Sequence, residues 1–136
     1  MISSDGGVTF TAIYTPDTGV EAPTNVITLD NTLVNDTSGN PGVGTTDSNT
    51  FTIDTLAPTA TVNIDDTTVT SGDTPTVTIT FSEAVTGFTN DDLTVPNGTL
   101  TDVSSLDGGV TFTAIYTPNA GVEDATNVIT LNNAGV

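Results

Sequence analysis

The chain has 136 residues with no lysine, arginine, histidine, cysteine or tryptophan, and its 17 acidic residues give a formal net charge of -17. Nucleic acid and anionic membranes are excluded as partners, because both are recognised by cationic side chains that displace counterions. Disulfides and thiolate metal sites are excluded as well, and no carboxylate can pair with a side-chain cation, so each must be solvated, bonded to a hydroxyl or backbone N–H, or bound to a metal ion.

Residues 5–31, DGGVTFTAIYTPDTGVEAPTNVITLDN, return at 107–133 as DGGVTFTAIYTPNAGVEDATNVITLNN, an offset of 102 residues. That period is too long for a solenoid unit of about 20 to 50 residues and matches a whole small domain, so the array is a string of independently folding beads. Apolar residues alternate with polar ones throughout. In chain order the alternation covers Ile27-Leu29, Phe51-Ile53, Ala60-Val62-Ile64, Val77-Ile79-Phe81, Leu93-Val95, Leu100 to Val103, Val110-Phe112-Ala114-Tyr116 and Ile129-Leu131. Turn signals separate these runs at Gly39-Asn40-Pro41-Gly42, Ser71-Gly72-Asp73, Pro96-Asn97-Gly98, Asp107-Gly108-Gly109 and Asn119-Ala120-Gly121. No window carries a helical stripe. Tyr14 and Tyr116 fall at the core edge, where a hydrated hydroxyl is expected.

One period reads as seven short strands, predicted at 59–65, 75–82, 92–96, 99–104, 109–117 and 127–132, with the seventh present only in the first copy, at 49–54. Seven strands in about 100 residues predict an all-β, two-sheet antiparallel sandwich. The chain is cut out of register from the array: residues 1–56 carry the last three strands of one repeat, and 57–136 carry the first six of the next. The seventh strand cannot fold back onto the repeat that follows it, because the linker 54–58 spans only about 14 Å and the return path exceeds about 20 Å. An isolated chain is therefore expected to complete its sheets by strand exchange between molecules.

Phe81-Ser82-Glu83-Ala84-Val85-Thr86-Gly87-Phe88 followed by Asn90-Asp91-Asp92-Leu93, with Leu56-Ala57-Pro58-Thr59 opening a strand and Gly39-Asn40-Pro41-Gly42 leading to Phe51-Thr52-Ile53-Asp54-Thr55, resembles the bacterial immunoglobulin-like repeats. These are the extender modules of giant repeats-in-toxin-type adhesins, among them the repetitive region of a marine ice-binding adhesin. The resemblance implies an immunoglobulin-like seven-stranded sandwich, a place outside the cell on the bacterial surface, neighbouring identical repeats in tandem, and calcium at or near module junctions. The sequence lacks the GGxGxD nonapeptide of a secretion-signal β-roll, and it lacks the cysteine pair and buried tryptophan of antibody domains.

The strand frame sorts the acids into two poles. Glu83, Asp91 and Asp92, with Asp54 arriving on the linker and with Asp36 and Asp107, fall at the leading pole of their repeats. Asp65, Asp66, Asp73, Glu123 and Asp124, or Asp17 and Glu21 in the first copy, fall at the trailing pole. Clustered oxygen donors without nitrogen or sulfur suit Ca²⁺ better than Mg²⁺, which demands a tighter octahedron. With the resemblance, the expected junction site is Asp54 from one bead with Glu83, Asp91 and Asp92 from the next. The opposing reading is that these carboxylates are solvated and that Asp91 or Asp92 caps a turn.

Catalysis would have to rest on a facing carboxylate pair, yet the acids lie on loops at opposite poles, so the chain is read as a non-enzyme. A carbohydrate- or surface-binding adhesin module is the alternative function. Its weakness is that most of the seven aromatics occupy inward strand positions. Thr-x-Thr rows at 76–80, 111–113 and 9–11 are read as ordinary outward strand residues, since a twisted sheet gives ice no flat array.

Overall fold

A computed structural model describes residues 1–135. The chain divides into two units, Met1–Ala57 and the remainder from Pro58 on. Both are all-β, with three single 3₁₀ turns and no α-helix among the described residues. No helix is long and apolar enough to cross a membrane.

The first unit holds β1 (Ile2–Ser3), β2 (Phe10–Thr11), β3 (Glu21–Asn25), β4 (Thr28–Asp30), β5 (Thr45–Asp47) and β6 (Phe51–Asp54). Its main feature is one long antiparallel hairpin. β4 pairs β5 with Leu29 opposite Thr46, and β3 pairs β6 with Glu21 opposite Asp54 and Ala22 opposite Ile53. Both ladders keep the same register, interrupted by a bulge between Ala22 and Asn25. That bulge includes Pro23, which has no N–H to give a ladder. Beyond the strands, Thr55 donates its N–H to Val20 O at 2.7 Å and Asn31 donates to Gly44 O at 3.0 Å.

The second unit holds β7 (Ala60–Ile64), β8 (Thr76–Phe81), β9 (Leu93–Thr94), β10 (Gly98–Leu100), β11 (Ser104–Ser105), β12 (Thr111–Pro118) and β13 (Thr130–Leu131). β10, β12, β8 and β7 form one antiparallel sheet in that order, with β11 also on β12; β9 and β13 form a second. The arrangement is an immunoglobulin-like sandwich. The alternation read from sequence lands as expected, since Val77, Ile79 and Phe81 are buried on one face of β8. Register carries that face across the sheet: Val62 and Phe112 flank Ile79, and Ile64 and Ala114 flank Val77. Such cross-strand apolar pairs are the unit of sheet stability. Leu93, Val95, Ile129 and Leu131 of the opposite sheet region pack against this core. Phe81, Phe88 and Phe112 close one end edge-to-face, with centroids 4.9 to 5.9 Å apart.

Four expectations need correction. The strand expected at 99–104 is split into β10 and β11, because Asn90 takes over the intervening backbone: its Nδ2 donates to Thr101 O at 3.0 Å and its Oδ1 accepts from Val103 N–H at 2.8 Å. The strands expected at 92–96 and 127–132 shrink to Leu93–Thr94 and Thr130–Leu131. The Tyr116 hydroxyl, expected to be hydrated at the core edge, belongs to a buried side chain and donates to Pro96 O at 3.0 Å.

The two copies of the repeated segment are folded differently. Thr111–Pro118 is an eight-residue strand lying between β8 and β10, whereas its copy in the first unit is a strand only at Phe10–Thr11. Tyr116 is 7% exposed and Tyr14 is 54% exposed, although DGGVTFTAIYTP is identical in the two copies. The first unit contains no counterpart of β8 for that segment to pair with.

Candidate functional site

The second unit shows the two poles directly. At one, Ser82 N–H donates to Thr59 O at 2.8 Å and Val85 N–H donates to Gly109 O at 2.9 Å, which brings the start of β7, the Glu83 loop and the Asp107 turn to the same end. Asn132 N–H donates to Asp92 O at 2.8 Å and Asn133 Nδ2 donates to Pro58 O at 2.8 Å, so Asp91 and Asp92 are there too. At the other, Thr76 N–H donates to Asp65 Oδ1 at 2.8 Å and Asn97 Nδ2 donates to Asp124 Oδ2 at 3.0 Å, with Asp66, Asp73 and Glu123 on the adjoining loops. In the first unit Asp36 sits at the hairpin tip, while Asp17, Glu21 and Asp54 sit at its open end.

Most of these carboxylates hold a turn through backbone N–H groups. Asp107 Oδ1 accepts from Ser105 Oγ at 2.9 Å, Val110 N–H at 3.2 Å and Thr111 N–H at 2.8 Å. Asp5 makes the same bonds with Ser3, Val8 and Thr9 in the first copy. Asp36 accepts from Ser38 N–H, Asn40 N–H and Asn40 Nδ2. Asp66 caps Thr68, Asp73 accepts from both Thr70 donors at 2.7 Å, Asp92 accepts from Thr89 N–H at 2.9 Å, and Asp54 accepts from Leu56 N–H at 3.3 Å. Charge-assisted bonds of this kind let the fold carry its negative charge without cations.

Thr111 is the main cause holding the Asp107 carboxyl at about 2, down from its ordinary 3.8, with Ser105 and Val110 adding to it. Asp5 is lowered to about 2 in the same way, chiefly by Thr9. Hydrogen bonds from Asn40 to Asp36 and from Thr70 to Asp73 lower those groups also. A depressed folded-state value means stability that is present above the unfolded value of 3.8 and lost as pH falls through about 2. The Thr9 and Thr111 amide resonances should therefore titrate with midpoints near 2, and Asp107→Asn should abolish the Thr111 step while leaving that of Thr9. Midpoints at the ordinary carboxylate value would contradict the capping role.

Sequence reasoning passed over Asp5, Asp30, Asp47 and Asp102. Asp30 caps the Asn31–Leu33 turn through Thr32 N–H, and Asp47 accepts from Thr28 Oγ1 at 2.6 Å across the hairpin. The available signal was the Ser-x-Asp-Gly-Gly spacing at 3–7 and 105–109, where a short acceptor precedes two glycines of positive φ. Among the described residues no three acidic side chains converge. Across the ladder Glu21 is opposite Asp54, with Thr55 Oγ1 donating to the Asp17 carbonyl at 2.7 Å beside them. The set of Asp54 with Glu83, Asp91 and Asp92 draws on both units.

A tandem pair of antiparallel sandwich pieces, with acids placed at turns and poles, defines a structural repeat module. The chain belongs to the bacterial Ig-like domain family, whose model matches it twice, over residues 1–53 and 54–136. No curated protein and no solved structure matches it.

Proposed function

We propose that the chain is a calcium-stabilised structural extender module of a long bacterial surface adhesin, spacing a distal binding region from the cell and taking no part in catalysis. The observation that carries the calcium reading is Glu21 directly opposite Asp54 in the hairpin ladder. Like charges at such positions destabilise a sheet unless something neutralises them, and this chain has no side-chain cation to do so. The donors fit Ca²⁺, being hard carboxylate oxygens on exposed side chains. Glu21 and Asp54 would hold the ion in the first unit, and Glu83, Asp91 and Asp92 would add donors where modules meet. The bound ion would supply the missing positive charge and stiffen the junction. Reach then grows with copy number while each bead folds by itself.

Calorimetric titration of the chain with CaCl₂ should give heat and a rise in melting temperature. Glu21→Gln should change sign with conditions, stabilising the chain in chelator by relieving repulsion and removing the gain from calcium. No heat and no thermal shift would end the calcium reading. Small-angle scattering from a multi-module chain should show a longer, stiffer particle with calcium than with chelator.

A further inference from the structure

Asn97 and Gly98 form the chain's only Asn-Gly pair, in the turn between β9 and β10. The fold dictates both residues. Asn97 has a φ of 54°, a left-handed backbone that glycine, asparagine and aspartate adopt most readily, and position 98 has no room for a Cβ because the Tyr116 ring lies against it. Asn-Gly is also the pair in which the following backbone nitrogen reaches the side-chain amide carbon most easily, since glycine puts no side chain in its path. Here that nitrogen is unengaged. Asn119 N–H donates to Asn97 O at 2.8 Å, so Gly98 and Pro118 face each other as a pair that exchanges no N–H bonds, and among the described residues no turn bond closes on the Gly98 N–H. We propose that Asn97 is a self-modification site, at which the Gly98 nitrogen displaces the side-chain amide as ammonia.

In the reaction the Gly98 nitrogen bonds to Asn97 Cγ, the Cγ–Nδ2 bond breaks, and Nδ2 leaves as ammonia with the proton that Gly98 gives up. Water then opens the cyclic imide at either carbonyl and leaves aspartate or isoaspartate at 97, with no oxidation or reduction. Two bonds restrain the amide beforehand: Asn97 Nδ2 donates to Asp124 Oδ2 at 3.0 Å and to Asn127 Oδ1 at 2.7 Å. Both acceptors lie in 121–128, a stretch exposed throughout and without strand structure, so the restraint opens whenever that stretch frays. The product undoes the contact permanently. A carboxylate at 97 offers Asp124 and Asn127 no donor, and it sits beside the Asp124 carboxylate in a chain with no side-chain cation to offset the repulsion. Isoaspartate also lengthens the backbone by a methylene where β10 enters the sheet against Tyr116. The modification is therefore a one-way ageing step that detaches 124–127 from the turn and loosens the packing at Tyr116.

Incubation of the folded chain in mildly alkaline buffer, followed by peptide mapping with mass spectrometry, tests this. Aspartate and isoaspartate should accumulate at 97 ahead of every other asparagine, with ammonia released in equal amount. The double variant Asp124→Ala, Asn127→Ala frees the amide and should speed the reaction by at least about fivefold, the equilibrium weight of one hydrogen bond, with the Val77–Phe81 amides still protected from exchange. The modified fraction, separated by anion exchange through its added charge, should unfold at a lower urea concentration than the fresh chain. Asn97→Asp carries the charge without the lengthened backbone and should fall between the two. An Asn97 that reacts no faster than the other asparagines, a folded double variant that reacts at the parent rate, or a modified fraction as stable as the fresh chain would each overturn the proposal.

Discussion

Tyr116→Ala should destabilise the second unit by about 3–5 kcal/mol, the usual cost of emptying a buried aromatic site, while Tyr14→Ala, at the same place in the repeat, should cost less than about 1 kcal/mol. Tyr116 is 7% exposed, belongs to the core cluster and satisfies its hydroxyl on Pro96 O. Tyr14 is half exposed and touches the Phe51 ring edge-on at 5.7 Å. Unit-specific readouts are needed, and denaturant-dependent exchange of the Val77–Phe81 amides reports the second unit alone. For a unit of this size the larger loss corresponds to a fall in melting temperature of roughly 10 °C or more. Equal effects at the two tyrosines would mean that the segment folds by local propensity, with no need of a partner strand.

Gly98→Ala should be nearly as damaging, and for the opposite reason. A Cβ at Gly98 would collide with the Cε2, Cζ and Oη atoms of Tyr116. Neither side can yield easily: Gly98 pairs with Pro118 in the ladder, Asn97 before it already has a positive φ of 54°, and the ring is pinned by its hydroxyl. Overpacking of this kind costs about 1–3 kcal/mol or more. The check is a double-mutant cycle by urea unfolding: in a Tyr116→Ala background the added methyl has space, so the Gly98→Ala penalty should largely vanish. An undiminished penalty would place the cost in the backbone of the turn rather than in the ring.

The candidate site was only partly legible. Composition alone forces the conclusion that every acid must find a donor other than a cation, and the strand frame assigns Asp65, Asp73, Asp107 and Asp124 to the poles where the second unit carries them. What composition could not separate is a carboxylate that caps from one that faces another. Asp92 and Asp107 are each committed to local N–H groups, which a few intervening residues decide. Glu21 and Asp54 are 33 residues apart in the chain and oppose each other only because a hairpin register puts them there.

The same division runs through the fold. Period-two alternation, the glycine and asparagine turns and the 102-residue repeat are local or internal to the sequence, and they suffice to establish an all-β sandwich chain with Val77, Ile79 and Phe81 inward, while the immunoglobulin-like character rests on the resemblance of the FSEAVTGF and NDDL segments. Tertiary structure decided which stretches become strands. TFTAIYTP extends over eight residues beside β8 and over two where no such neighbour exists, and the segment beginning at Glu21 is a strand beside β6 while its copy beginning at Glu123 is not. The reason is that a helix closes its hydrogen bonds within its own segment, whereas a β-strand must find all of its ladder partners in other segments. Alternation specifies the face a strand would bury; only a neighbour at the right register makes it a strand.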